Sequence, residues 1–144
     1  MALIGPDHQG YLHRLNIKYD VCNIFRSDGV YGVDKLQVLH ESNCIVLPSY
    51  SENFGNIVAE GMAMAKIVIT TTATPWAAIK EFDLGYWIHP NEEQLYLAMK
   101  SAFQLSITDR MSKGENARRF IFDNMSWENR VAELLILYKS ALNP

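Results

Sequence analysis

The sequence predicts an α/β fold, a Rossmann-like parallel sheet with helices on both faces. Short β-rich apolar runs alternate with segments of helical period, the pattern left by successive βαβ units. Each run is only a few residues long, as strands buried on both faces are. The chain has 144 residues, 49% of them apolar, which suits one globular domain spanning 1–144 and leaves no room for two.

Taken in order, the strands are expected at Ala2 to Ile4, Cys22 to Phe25, Cys44 to Leu47, Ile67 to Thr70 and Tyr86 to Ile88. Helices are expected over His8 to Tyr19, Asp34 to Ser42, Asn56 to Met64 and Pro75 to Glu81, with three more after the last strand. Thr74-Pro75 offers a hydroxyl N-cap followed by proline at the first helical position, where its missing N–H costs nothing. Asn91 with Gln94 has the form of a capping box. In the helix that follows, Leu95, Ala98, Met99 and Ala102 fall on one face; in the last helix Trp127, Val131, Leu134, Leu135, Tyr138 and Leu142 do the same. Both stripes read as core or docking surface.

Composition excludes several functional classes. The net charge is −3 with both signs interspersed and no basic run, so no nucleic-acid or acidic-membrane partner is expected. Cys22 and Cys44 lie in strand-like runs without CxxC or Cys/His spacing, and read as reduced core thiols of a cytoplasmic protein. No apolar stretch approaches a membrane span, and the residues after Met1 lack the order of a signal peptide. Trp76 and Trp87, beside strand ends, read as packing residues before ligand-stacking ones. His89-Pro90 reads as loop, and His40 beside Glu41 as a helix end.

The segment with most chemistry runs Pro48-Ser49-Tyr50-Ser51-Glu52-Asn53-Phe54-Gly55, then Asn56 to Ala65. A strand ends at Leu47, a polar loop follows, and a helix begins near Phe54 or Gly55, so the loop sits where open α/β sheets gather ligands. The helix start presents free N–H groups and partial positive charge to an anion or sugar oxygen, and Gly55 permits close approach. Glu52 and Glu60, eight residues apart, can border one cleft, and carboxylates suit sugar diols because each accepts from two hydroxyls. On spacing alone the plainer alternative stands: Glu52 complements the helix dipole and Glu60 is a solvated surface residue.

Together, Pro48 to Gly55 and Glu60-Gly61-Met62-Ala63-Met64-Ala65 resemble the E-x7-E signature of the group 1 retaining glycosyltransferases, which include enzymes of lipopolysaccharide and exopolysaccharide assembly. Gly5-Pro6-Asp7 with Tyr11 and Leu15, Val30-Tyr31-Gly32 with Asp34-Lys35, Ile69 to Thr72 with Thr74-Pro75-Trp76, Gly85-Tyr86-Trp87, and Asn116-Ala117-Arg118 with Ser126-Trp127 and Tyr138 resemble that family's C-terminal domain in the same order. The resemblance implies the nucleotide-sugar-binding half of a GT-B enzyme that transfers a sugar from a nucleoside-diphosphate sugar with retention, in surface glycan or lipopolysaccharide synthesis. Glu52 would be the catalytic carboxylate that supports positive charge at the anomeric carbon, and Glu60 would hold the ribose hydroxyls. The backbone of Asn53, Phe54, Gly55, Asn56 and Ile57 would face sugar and diphosphate. The loop Asp28, Gly29, Val30 and Tyr31 would lie near the base.

No metal or other cofactor is implied, and the sequence has neither an Asp-x-Asp triplet nor ligand spacing among its four histidines. The family's opening strand and its basic diphosphate-gripping segment have no counterpart before Ala2, so the expectation is a domain truncated at its N-terminus and separated from an N-terminal acceptor domain. That missing domain would receive a glycan or lipid-linked acceptor, and in the full-length parent would bring the protein to a membrane. Arg26 and Asp28 stand where the family prefers an apolar and a small residue. The isolated chain is accordingly expected to be inactive in transfer. The alternative is a non-catalytic nucleotide-sugar-binding remnant, and a Rossmann-shaped interaction domain is a third reading. The final helix resembles the segment that packs back onto the acceptor domain, and its bare stripe would invite self-association.

Overall fold

In the computed structural model, residues 1–7, 10, 11, 14 and 24–142 are described. The chain forms two compact units, Met1–His40 and Glu41–Pro144. In the first, strands β1 (Ala2–Ile4) and β2 (Phe25–Ser27) pair in parallel, with Ala2 opposite Phe25 and Ile4 opposite Ser27, ahead of helix α1 (Gly32–Glu41). The expected strand Cys22 to Phe25 is therefore displaced toward the C-terminus, because register with β1 recruits the polar pair Arg26 and Ser27 that apolar patterning omitted. Cys22, Leu15 and most of the expected helix His8 to Tyr19 lie outside the described residues. Helix α1 starts two residues before the expected Asp34 and ends one before Ser42.

The second unit has strands β3 (Cys44–Leu47), β4 (Ile67–Thr71) and β5 (Gly85–Ile88), all parallel, in the order β3-β4-β5. Helix α2 (Asn56–Ala63) joins β3 to β4, and α3 (Ala78–Glu81) joins β4 to β5. After β5 come α4 (Glu92–Gln104), α5 (Ile107–Met125) and α6 (Trp127–Leu142). Every residue of β4 is buried, as a central strand covered on both faces requires.

Alternation along β4 assigns the faces. Ile67 and Ile69 pack with Ala98 and Ala102 of α4, with Cys44, Tyr86, Ile88, Leu95 and Met99 around them. The α4 stripe expected from periodicity is core. On the opposite face, α2 brings position 61 against Ile45 and Val68, while the Ile79 side chain of α3 approaches Gly85. Helices thus cover both faces, and the fold is Rossmann-like.

Two devices hold the later helices. A Cβ at Gly114 would stand 2.1 Å from the Ala65 carbonyl oxygen, so glycine lets α5 touch the backbone that leaves α2. Lys113 of α5 donates to the Asp83 carbonyl at 2.9 Å. Asn91 caps α4 as expected, its Oδ1 accepting from Gln94 N at 2.8 Å.

The expected helix start at Pro75 is not observed. Helix α3 begins at Ala78 with Ala77 as its N-cap residue. Thr74, expected to cap, instead donates its hydroxyl to the Thr71 carbonyl at 2.8 Å and closes a turn at the end of β4. The residue type was right for a local side-chain bond, but it serves the turn and not the helix.

No residue of α6 is buried, so its stripe is not core. Among the described residues, no helix is long and apolar enough to cross a membrane.

Candidate functional site

After Leu47 the chain turns through Pro48 to Gly55 before α2 begins, leaving this segment at the carboxyl end of the β3-β4-β5 sheet. Gly55 is the residue that makes the turn into the helix. It is the N-cap residue, left-handed at φ 77 and ψ 64, with no side-chain cap. It is also buried, and a Cβ there would stand 3.2 Å from Leu47 Cδ2. Conformation and space both select glycine.

Val58 N donates to Gly55 O at 2.9 Å, opening the helix. The amides of Gly55, Asn56 and Ile57 donate to nothing among the described residues. Three N–H groups therefore stand together at the positive end of the α2 dipole, a set of donors suited to anionic or carbonyl-like oxygens. Glu52, half-buried, flanks them from the loop and accepts from Ser49 Oγ at 3.1 Å. Glu60, also half-buried, stands in the second turn of α2, about 6 Å along the axis from Asn56. Asn53 and Asn56 are exposed and Ile57 is half-buried. The exposed Phe54 ring leans on Trp76, centroids 5.0 Å apart and planes inclined by 54°.

The loop Asp28 to Tyr31 follows β2 and so also lies at a strand's carboxyl end, with the Tyr31 ring folded over Gly29. It belongs to the first compact unit, whereas Glu52 to Ile57 and Glu60 belong to the second.

Beneath the segment lies a polar clamp that the motif does not announce. The Thr70 hydroxyl donates to the Leu47 carbonyl at 3.1 Å, and Thr71 Oγ1 donates to the Ser49 carbonyl at 2.5 Å. The Trp76 indole N–H donates to the Phe54 carbonyl. Trp76 is buried, as the packing reading expected, but it also carries this bond. A buried indole usually finds an acceptor, the one sequence-level signal that could have found the contact, although the buried Trp87 Nε1 has no hydrogen-bond partner among the described residues. Trp87 is half-buried in β5.

Two recesses lie elsewhere in this unit. One of about 70 Å³, lined by Pro48, Tyr50, Thr71, Ile88 and Leu95 among others, shares the loop but none of the candidate residues. The other, about 420 Å³, opens beside Ser42, Asn43, Lys66 and Arg110, where the strands begin. The perturbed titratable groups belong to the α4 side as well. Burial pushes the Cys44 thiol up to about 11, partly offset by the Arg110 charge. Burial raises Tyr86, helped by the charges of Asp83 and Cys44. Cys44 is a free thiol, as expected.

The model of the family described as glycosyl transferases group 1 matches residues 5–120. The chain belongs to that family. A curated relative, an uncharacterized glycosyltransferase of Methanocaldococcus jannaschii, is 26% identical to this glycosyl transferase chain over 141 residues, 94% of the chain and 35% of the relative. The chain thus spans about a third of that relative's length. Among solved structures, a glycosyltransferase from Rickettsia africae ESF-5 superposes with a TM-score of 0.82 at 26% identity, covering 99% of this chain and 40% of that one. WaaG, a glycosyltransferase involved in lipopolysaccharide biosynthesis, gives a TM-score of 0.73 at 25% identity, covering 87% of this chain and 34% of its own. The GT-B fold class expected from the sequence is the one observed.

Proposed function

We propose that this chain is the donor half of a retaining glycosyltransferase that uses a nucleoside-diphosphate sugar. The observation that carries the reading is the row of amides at Gly55, Asn56 and Ile57 flanked by Glu52 and Glu60, in a chain of this family. Diphosphate and sugar oxygens would accept from those amides, with Asn53 and Phe54 lining the approach. Glu60 would accept from the two ribose hydroxyls; a base-facing role for Asp28, Gly29, Val30 and Tyr31 rests on the family resemblance alone.

In the transfer, the bond between the anomeric carbon and the diphosphate oxygen breaks, the electron pair leaving with the nucleoside diphosphate. An acceptor hydroxyl forms the new bond on the same face and passes its proton to the departing diphosphate oxygen. Positive charge builds on the anomeric carbon between these events, and the Glu52 carboxylate would stabilise it. Neither metal nor other cofactor is assigned a role. The acceptor, a glycan or lipid-linked sugar, would be held by an N-terminal domain of the parent protein. The proposed setting is surface glycan or lipopolysaccharide assembly at the cytoplasmic side of a membrane, a role that WaaG's own process favours. Self-association through the bare face of α6 is proposed for the isolated chain.

Isothermal titration with uridine diphosphate glucose and guanosine diphosphate mannose tests the reading. Binding that Glu60→Ala weakens by about tenfold or more, the loss of charge-assisted hydrogen bonds, supports it. Glu52→Ala should bind donor nearly as well while abolishing transfer in the full-length protein. Failure of the folded chain to bind either donor would count against the proposal.

A further inference from the structure

We infer that Trp76 is a positioning residue for the donor site: its indole N–H fixes the Phe54–Gly55 peptide so that the Gly55 N–H faces outward. The inference rests on the donor-site reading above. A trans peptide directs its C=O and N–H in opposite senses. The Phe54 carbonyl is held inward by the indole N–H of a side chain only 1% exposed, so the Gly55 amide of the same peptide points away from the core. That amide is the first of the three that donate to nothing else among the described residues. The indole also limits the room around Gly55, where a Cβ would lie 3.6 Å from Trp76 Nε1.

The hold is redundant upstream but single here. Thr70 and Thr71 fix the Leu47 and Ser49 carbonyls, on the strand side of Glu52. On the helix side, between Glu52 and α2, the Gly55 carbonyl accepts from Val58 N of the helix itself, and the hydrogen bond from Trp76 ties the Phe54 carbonyl to the core. Losing it frees the peptide to rotate about Gly55, whose left-handed conformation has little intrinsic preference to preserve.

The test replaces the Trp76 side chain with the isosteric 3-benzothienylalanine, which keeps the ring and removes the N–H. Titration with uridine diphosphate glucose and guanosine diphosphate mannose should show binding about tenfold weaker, with the melting temperature close to wild type. Ile79→Val, a truncation of another fully buried side chain, should lower the melting temperature and leave donor affinity unchanged. In the free protein, the Gly55 amide nitrogen resonance should shift in the benzothienyl variant, since it reports the hydrogen bond to the preceding carbonyl. Wild-type affinity in the benzothienyl variant, with Glu60→Ala still weakened, overturns the positioning role and leaves the donor site standing. An unmoved Gly55 resonance overturns it too. Absence of donor binding by the wild-type chain removes the donor-site reading, and the inference falls with it.

Discussion

Helices α4 and α6 carry the same kind of sequence signal and meet opposite fates. Each places apolar residues at helical spacing on one face. In α4, Ala98 and Ala102 are buried against Ile67 and Ile69, whereas in α6 the stripe from Trp127 to Leu142 remains open, Leu135 at 52% and Trp127 at 81% exposure. A packing partner separates them: the α4 stripe, Leu95 and Met99 included, meets Ile67 and Ile69 of the sheet, whereas no residue of α6 is buried. Two alanines let the α4 backbone come close to a sheet. The large residues of α6 present area that only an extended partner can cover. Periodicity therefore fixes which face a helix buries, but not against what.

The comparison can be broken most forcefully at Ala102. Ala102→Glu inserts an unpaired carboxylate between α4 and β4, and should cost about 3–5 kcal/mol, read as loss of cooperative melting or a collapse of the denaturation midpoint. Retention of wild-type stability would show that α4 is not docked.

A smaller effect follows from Cys44 on the same side of the sheet. Its folded pKa is raised from 9.0 to about 11, so the protonated thiol is favoured in the folded state. The associated stability is fully present below pH 9 and is lost as pH rises from 9 toward 11. The loss should be on the order of 2–3 kcal/mol in denaturation series at increasing pH, and Cys44→Ala should remove that component.

The caps sharpen the contrast further. Asn91 Oδ1 accepts from Gln94 N at 2.8 Å, while Ser126 Oγ before α6 accepts from Asn129 N at 3.4 Å. Asn91→Ala should cost about 1 kcal/mol and Ser126→Ala about 0.5 kcal/mol or less, measured by denaturant unfolding. Equal costs would mean that cap geometry does not set the difference. Smallest of all, Leu135→Glu in α6 should change stability by no more than about 0.5 kcal/mol. If copies associate through α6, the same substitution should make sedimentation independent of concentration.

What could be read in the candidate site followed from local chemistry. The positions of Glu52, Gly55 and Glu60 were legible because a loop between strand and helix, a glycine at the junction and a carboxylate further along the helix are defined by near neighbours in sequence, whereas the roles expected of the two carboxylates came from the family resemblance. The clamp was not, because Thr70, Thr71 and Trp76 reach carbonyls more than twenty residues earlier. Thr74 shows the same boundary from the other side. Its hydroxyl could accept from a helix N–H or donate to a turn carbonyl, and the turn required by β4 decided the choice.

By itself, the sequence determined the α/β class, the strands β1, β3, β4 and β5 to within a residue at each end, the Asn91 cap and the face that α4 buries. These depend on period and on contacts within a few residues. Only the tertiary structure decided that β2 pairs through Arg26 and Ser27, that α3 waits until Ala78, and that Trp76 holds the Phe54 carbonyl. Each of these depends on an atom brought close by folding, and a linear pattern holds no record of that distance.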